Sequence, residues 1–232
     1  MAITDIEIGL NSVVSNLSDE NYDQSLAFYR VWADVGYIYS RIPSENISNT
    51  IWNNRGSSAV DPKAGNLFHP TAHLILRFAS DVESNCMVGL HSAGLQSRLC
   101  AKTLRSFFEF NASSVKYKDE GCWHYSCLEG SGSLVATDSN LIAQWANSGC
   151  VEEVAIRDHI LQSLISYPKL YDHQADALII LFKIAGATFE AYADPSVVDR
   201  CFGLLKNHYA PGSTKNNLVQ VCIPHGKMWL SS

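Results

Sequence analysis

The chain has 232 residues, of which 47% are hydrophobic, 10% aromatic and only 17% charged, enough apolar material for a sizeable core and against a largely disordered chain. Its 17 basic and 23 acidic residues leave a net charge of -6, which argues against a general electrostatic grip on nucleic acid or on an anionic membrane. No apolar run reaches the roughly 18 residues that cross a bilayer.

The opening Met-Ala-Ile-Thr-Asp-Ile-Glu has neither the basic start nor the apolar stretch of a secretory signal, so a cytoplasmic protein is expected, with the nucleus as the other open compartment. Thr4 and Glu7 stand at capping-box spacing ahead of Ile6, Leu10, Val13, Val14 and Leu17, which predicts a first helix. Asp23 to Ile42 follows, with Leu26, Tyr29, Ala33 and Tyr37 on one face and Phe28, Trp32, Val35 and Tyr39 on another. Two apolar faces predict a long, well-buried helix. Pro43 breaks it, Ser44 caps a short helix through Ile47 and Ile51, and a loop from Asn53 to Asn66 closes the N-terminal helices of residues 1–60.

Residues 67–110 read as the first helical-repeat-like segment. Pro70 to Val82 carries Leu74, Ile75, Phe78 and Ala79 at helical spacing, Asn85 to His91 is a short helix stopped at Ala93-Gly94, and Leu95 to Phe110 is a longer one. His69 and His73 are four apart, but Pro70 spoils the regularity, so a capping role for His69 and a partly exposed His73 are expected. Residues 111–137, with Lys116, Lys118, Asp119, Glu120 and the run Gly130-Ser131-Gly132-Ser133, are expected to form an irregular loop. No Lys-Ser/Thr follows that run and Glu129 precedes it, which favours a flexible connection over a phosphate cradle.

Residues 138–210 read as the second repeat-like segment. Asn140 to Asn147 is a short helix ending at Ser148-Gly149, and Val151 to Ser166 turns Val154, Ile156, Ile160, Leu161, Leu164 and Ile165 inward, with Glu153 and Arg157 as an i,i+4 pair. His173 to Tyr192 is apolar almost all round. Its Asp176, Lys183 and Glu190, seven apart, drift only about 20° per step and predict one narrow solvated strip. Asp194 caps the next helix with Pro195 in the first position, Val198, Cys201, Phe202, Leu205 and Tyr209 form its buried stripe, and Ala210-Pro211-Gly212 stops it. The tail, 211–232, ends in Met228-Trp229-Leu230-Ser231-Ser232 and reads as the truncated end of a longer array. Trp229 is the candidate partner-binding residue, either against another protein or in self-association through the C-terminal end.

No segment alternates with period two, so the fold class is all-α. A short helix, a glycine corner and a long helix recur, with Gly94 and Gly149 set 55 residues apart. In this pattern, over Asn85 to Phe110 and Asn140 to Tyr209, the chain resembles the armadillo and HEAT α-solenoids. The resemblance implies an irregular helical array, here a single helical domain over 1–232, whose surface binds other proteins. No family motif is matched residue by residue, so no binding residue carries across.

Seven cysteines, an odd number in mostly apolar settings, suit thiols in a reducing compartment. The sharpest chemical constellation is Cys122-Trp123-His124-Tyr125-Ser126-Cys127, where Cys122, His124 and Cys127 place three zinc-type ligands within six residues and lack a fourth at finger spacing. No nucleophile turn or paired-carboxylate motif marks a catalytic residue. The expected function is a non-catalytic scaffold or adaptor that binds a protein partner without cofactor, nucleic acid or membrane. The alternative is an all-α enzyme, or a small-ligand or zinc-binding protein, with its site near Cys122, His124 and Cys127.

Overall fold

A computed structural model describes residues 3–39, 44–54, 67–85, 94–119 and 125–222. Among them every regular element is a helix and no strand occurs. The helices are α1 (Ile3–Ser15), α2 (Tyr22–Tyr39), α3 (Ser44–Asn53), α4 (Ala72–Asn85), α5 (Leu95–Asp119) and α6 (Tyr125–Asn147). Then come α7, built from Glu153–Ala155, a π-helical turn Ile156–Ile160 and Leu161–Ile165, and α8 (Asp172–Tyr192), α9 (Pro195–His208) and α10 (Thr214–Cys222). The chain divides into two compact units, Met1–Ala59 with His69–Lys102 and Val60–Phe68 with Thr103–Ser232.

In the first unit α1 and α2 pack together, and each also meets α3, while α2 meets α4. Ile6, Leu10 and Val14 of α1, Leu17 just after it, Tyr29 and Ala33 of α2, and Ile75, Phe78, Ala79 and Val82 of α4 are buried. The Phe78 ring stands edge-on to Tyr22 and Tyr29, at 6.1 and 5.0 Å between centroids. Each tyrosine hydroxyl then finds a polar partner: Tyr22 donates to Asp81 at 2.7 Å and Tyr29 meets Thr50 Oγ1 at 2.7 Å. A Cβ on Gly9 would stand 3.2 Å from the Trp32 ring, so the missing side chain allows α1 and α2 their close approach. Thr4 is already the second residue of α1, two positions past the N-cap that the capping box requires.

The expected two-sided burial of α2 is not what the structure has. Phe28 and Val31 are 52% and 61% exposed, with Trp32 and Val35 half-buried beside them. Packing against α1, α3 and α4 buries the Tyr22, Ser25, Tyr29 and Ala33 side and covers the other face only in part, where Trp32 meets Gly9.

In the second unit α8 is the hub, in contact with α6, α7, α9 and α10. Every residue from His173 to Phe182 is buried, then Ala185 and Phe189. Such a stretch turns through all directions, so it is stable only when neighbours enclose it. Ala185 departs from helical geometry (φ -128°, ψ 28°) and breaks the helix locally. The Ile184 carbonyl accepts from Asn147 Nδ2 at 2.8 Å, and the Thr188 hydroxyl donates to Asn147 Oδ1 at 2.8 Å. The last residue of α6 therefore splints the kink in α8.

The irregular loop expected over 111–137 is helical on both sides of 120–124, since α5 runs to Asp119 and α6 begins at Tyr125. Gly130-Ser131-Gly132-Ser133 lies within α6. Burial of Val135 to Ala143 supplies the packing that overrides the weak helix propensity of that run. In α7 the wider π-turn brings Ile156, Ile160 and Leu164 inside and leaves Val154 exposed, contrary to the stripe expected of a regular helix. Arg157 pairs with Asp158 rather than with Glu153, through bonds of 2.8 to 3.1 Å.

Gly149 has φ +75° and closes α6, while Gly203 sits inside α9 with open space around it. Gly203→Ala is expected to raise stability by about 0.5–1 kcal/mol through helix propensity. Gly149→Ala is expected to lower it by about 1–2 kcal/mol through left-handed strain. Paired urea titrations read both; equal effects would contradict the backbone account.

Candidate functional site

Two features stand out as carriers of chemistry or recognition: a polar interior around α8, and the outer face of the α1–α2 hairpin.

The polar interior begins in α6, where Thr137, Asp138, Ser139 and Asn140 are consecutive and all buried. Four successive residues at about 100° each face almost every direction, so α6 is enclosed on all sides at this level. Each bond found there is local or ties the unit together. Ser106 of α5 donates to Asp138, Ser139 donates to the Val135 carbonyl at 2.7 Å, and Asn140 donates to the carbonyls of Leu67 and Ala136, both at 2.8 Å.

A second group joins α5, α7 and α8. Asn111 Oδ1 accepts from Gln174 Nε2 at 3.1 Å and faces His173 Nε2 at 3.3 Å, while Asn111 Nδ2 donates to the Ser163 carbonyl at 3.0 Å. Gln174 Oε1 accepts the Tyr171 amide and closes the start of α8. Ser114 Oγ and Trp145 Nε1 are buried with no hydrogen-bond partner among the described residues.

The third group is ionic. Lys215 of α10 donates to both oxygens of Asp176 at 2.7 and 2.9 Å, and the Tyr209 hydroxyl donates to Asp176 Oδ1 at 2.7 Å. Asp176 is thus no part of a solvated strip: α9 and α10 cover it, Lys183 is exposed and Glu190 is half-buried. The kink at Ala185 also interrupts the regular rotation on which a common strip depends. Burial holds the Asp176 carboxyl above its ordinary value against the opposing pull of Lys215 and Tyr209. Burial, reinforced by Asp176, likewise pushes the Tyr209 phenol well up. Burial pushes the Cys201 thiol up to about 12, which leaves it a packing group without thiolate chemistry at neutral pH. Ser114 and Trp145 aside, these groups satisfy one another and brace helices; among the described residues their geometry offers neither an activated nucleophile nor a convergent metal shell.

The candidates read from sequence fall as follows. Cys122 and His124 lie outside the described residues, as does Trp229, and Cys127 lies in the first turn of α6. No group of three or more potential metal ligands lies among the described residues. His69 is buried and its Nδ1 accepts the Thr71 amide at 3.2 Å at the entry to α4, while His73 is exposed, 3.7 Å from Asp19. Asp194 caps α9 by accepting from the Ser196 amide and hydroxyl, with Pro195 in the first helical position. No described helix is long and apolar enough to cross a membrane.

The hairpin face is a different kind of feature. Phe28 and Val31 of α2 and Ile8 of α1, the last 66% exposed, are apolar side chains left in water. Their helical positions are visible in the sequence, but which apolar face meets the core is a tertiary fact. Compared with known proteins, the chain matches no family model, no curated protein and no solved structure.

Two outcomes test the ionic group at Asp176 and the Asp194 cap. Because its folded-state pKa is raised, Asp176 favours folding most when protonated and loses that contribution as pH rises. Lys215→Met removes the counter-charge and should cost about 3 kcal/mol near neutral pH, with much of it recovered at about pH 4; a pH-independent deficit would refute the ionic account. The Asp194 carboxyl is held below its ordinary 3.8 by Ser196, so its contribution is present above that value and lost as pH falls. Asp194→Ala should lower Tm at neutral pH, and the difference should close under acid conditions.

Proposed function

We propose that the protein is a non-catalytic scaffold or adaptor that binds another protein through the surface of an irregular helical array of the armadillo or HEAT kind. The observation that carries this reading is the exposed apolar surface of α1 and α2: Phe28 and Val31, three residues apart on α2, and Ile8 of α1 are each more than half exposed. Large apolar side chains grouped on a surface are the usual mark of a protein-binding site. The polar interior supports the same reading from the other side, because its groups are spent on bracing helices. Consecutive helices that pack on one another, as α1 with α2 and α8 with α9, suit an array. The partner is a protein, without nucleic acid, membrane or cofactor, and the compartment is the cytosol, where a buried thiol such as Cys201 stays reduced.

The test is native mass spectrometry of the chain gently purified from its own cell extract, as wild type and as Phe28→Ser/Val31→Ser. Both side chains are exposed, so the variant should keep its helix content and lose about 1 kcal/mol or less. A protein mass retained by the wild type and lost from the variant is the expected result. A zinc or small-molecule increment that disappears on Cys122→Ser, with no retained protein, would replace the scaffold by a ligand-binding or catalytic protein.

A further inference from the structure

α10 is held to α8 and α9 by few groups. From Thr214 to Gln220 one side chain, Val219, is buried, while Lys215, Asn216 and Leu218 are half-buried. The other hold is ionic: Lys215 reaches both oxygens of Asp176 on α8 at 2.7 and 2.9 Å. Lys215 and Val219 are four residues apart, so the charge and the apolar anchor share one face, a turn from each other.

The surface that α10 covers has its own fastenings. α9 is fixed to α8 by the Phe182–Phe202 stack at 4.5 Å between centroids, by His208 Nε2 facing Asp172 at 3.0 Å, and by the Tyr209 hydroxyl donating to Asp176 at 2.7 Å. All these residues precede Ala210, so α8 and α9 keep these contacts whichever α10 lies across them. The turn into α10 is exposed at Ala210, Pro211 and Gly212 and closed by one backbone bond, from the Ser213 amide to the Ala210 carbonyl at 3.2 Å, with Gly212 at φ +82°. Opened to extended backbone, those four residues span about 13 Å, more than the width of a helix.

The chemistry of Asp176 states what has to occupy the groove. A buried carboxylate stripped of its cation is strongly unfavourable, so the occupant must be a helix that sets a lysine opposite Asp176 and an apolar side chain one turn on. α10 of a second copy meets both demands with the same residues. We propose that the groove of α8 and α9 accepts α10 from a second copy of this chain, two copies exchanging their α10 helices reciprocally. The helix contacts of the closed monomer recur in the exchanged pair, and the turn at 210–213 is what differs. Concentration decides between the two forms. A short linker gives α10 an effective concentration of about millimolar at its own groove, so exchange gains where copies are crowded together. This surface is separate from the exposed apolar residues of α1 and α2 and does not depend on the reading drawn from them.

Two single variants test the exchange. Asp176→Asn and Lys215→Met each spoil the pair within one chain, but an exchanged heterodimer restores Asp176–Lys215 in one groove and sets a neutral amide against methionine in the other. The full-length variants, one of them isotope-labelled, are mixed in urea and refolded at about 10 µM, a hundredfold below that effective concentration. Restoring a buried pair is worth about a hundredfold or more. Native mass spectrometry is expected to show a heterodimer at least about tenfold more abundant than either homodimer, and the urea midpoint of the mixture should lie above that of Lys215→Met alone. The control is wild type refolded with Asp176→Asn/Lys215→Met, where exchange would spoil both grooves and no heterodimer is expected. Monomers alone in the first mixture overturn the proposal. So does a dimer that forms equally in both mixtures, or from one variant by itself, because either assigns the contact to another face. Should Lys215→Met fail to fold alone, recovery of its helix content on refolding with Asp176→Asn is the expected result, and no recovery overturns the exchange.

Discussion

The second unit depends on one constraint: α8 is apolar in nearly every direction over its first half and has to be enclosed. From His173 to Phe182 no side chain has a solvent-facing option. Four helices therefore converge on it, and the polar groups that unavoidably enter with them must find partners inside the protein. Asn111, Gln174 and His173 answer that demand on one side, and Asp176, Tyr209 and Lys215 on the other. The interior chemistry is thus a consequence of enclosure, which is why a functional reading turns to the surface.

The first unit solves the opposite problem. Its helices are amphipathic enough to share a core built on Tyr29, Phe78, Leu10 and Ile6, but α2 brings more apolar surface than its neighbours can cover. The surplus appears as Phe28 and Val31. A helix with two apolar faces and one set of neighbours exposes the second face unless something else packs there.

What the sequence makes legible is mostly local. The Asp194 cap, the glycine corner at Gly149, the His69 entry to α4 and the core stripe of α4 are short-range patterns with a direct physical meaning, and the structure has them. Residues 111–119 and 125–137 are less legible because their helicity comes from packing: Gly130, Gly132 and several serines are poor helix formers, and their segment is held by neighbours far away in the chain. The π-turn in α7 and the kink at Ala185 leave no composition signal, so Val154 and the Asp176 strip are misplaced by any reading that assumes regular helices. For the candidate site, the apolar character of α2 is plain in the sequence. Which face of α2 stays in water is not, because α1, α3 and α4 decide it.

The Asp176–Lys215 pair also has a consequence in time. Its two members are separated by 39 residues of chain. At a synthesis rate of about 5–20 residues per second, α8 leaves the ribosome about 2–8 s before its counter-charge does. During that interval an ionised Asp176 is better off in water than in an apolar cover, so the first half of α8 resists closing early against its neighbours. The first unit draws only on residues before 103 and has no such dependency. Vectorial synthesis therefore imposes an order on the two units, with the second unable to settle until α10 has emerged.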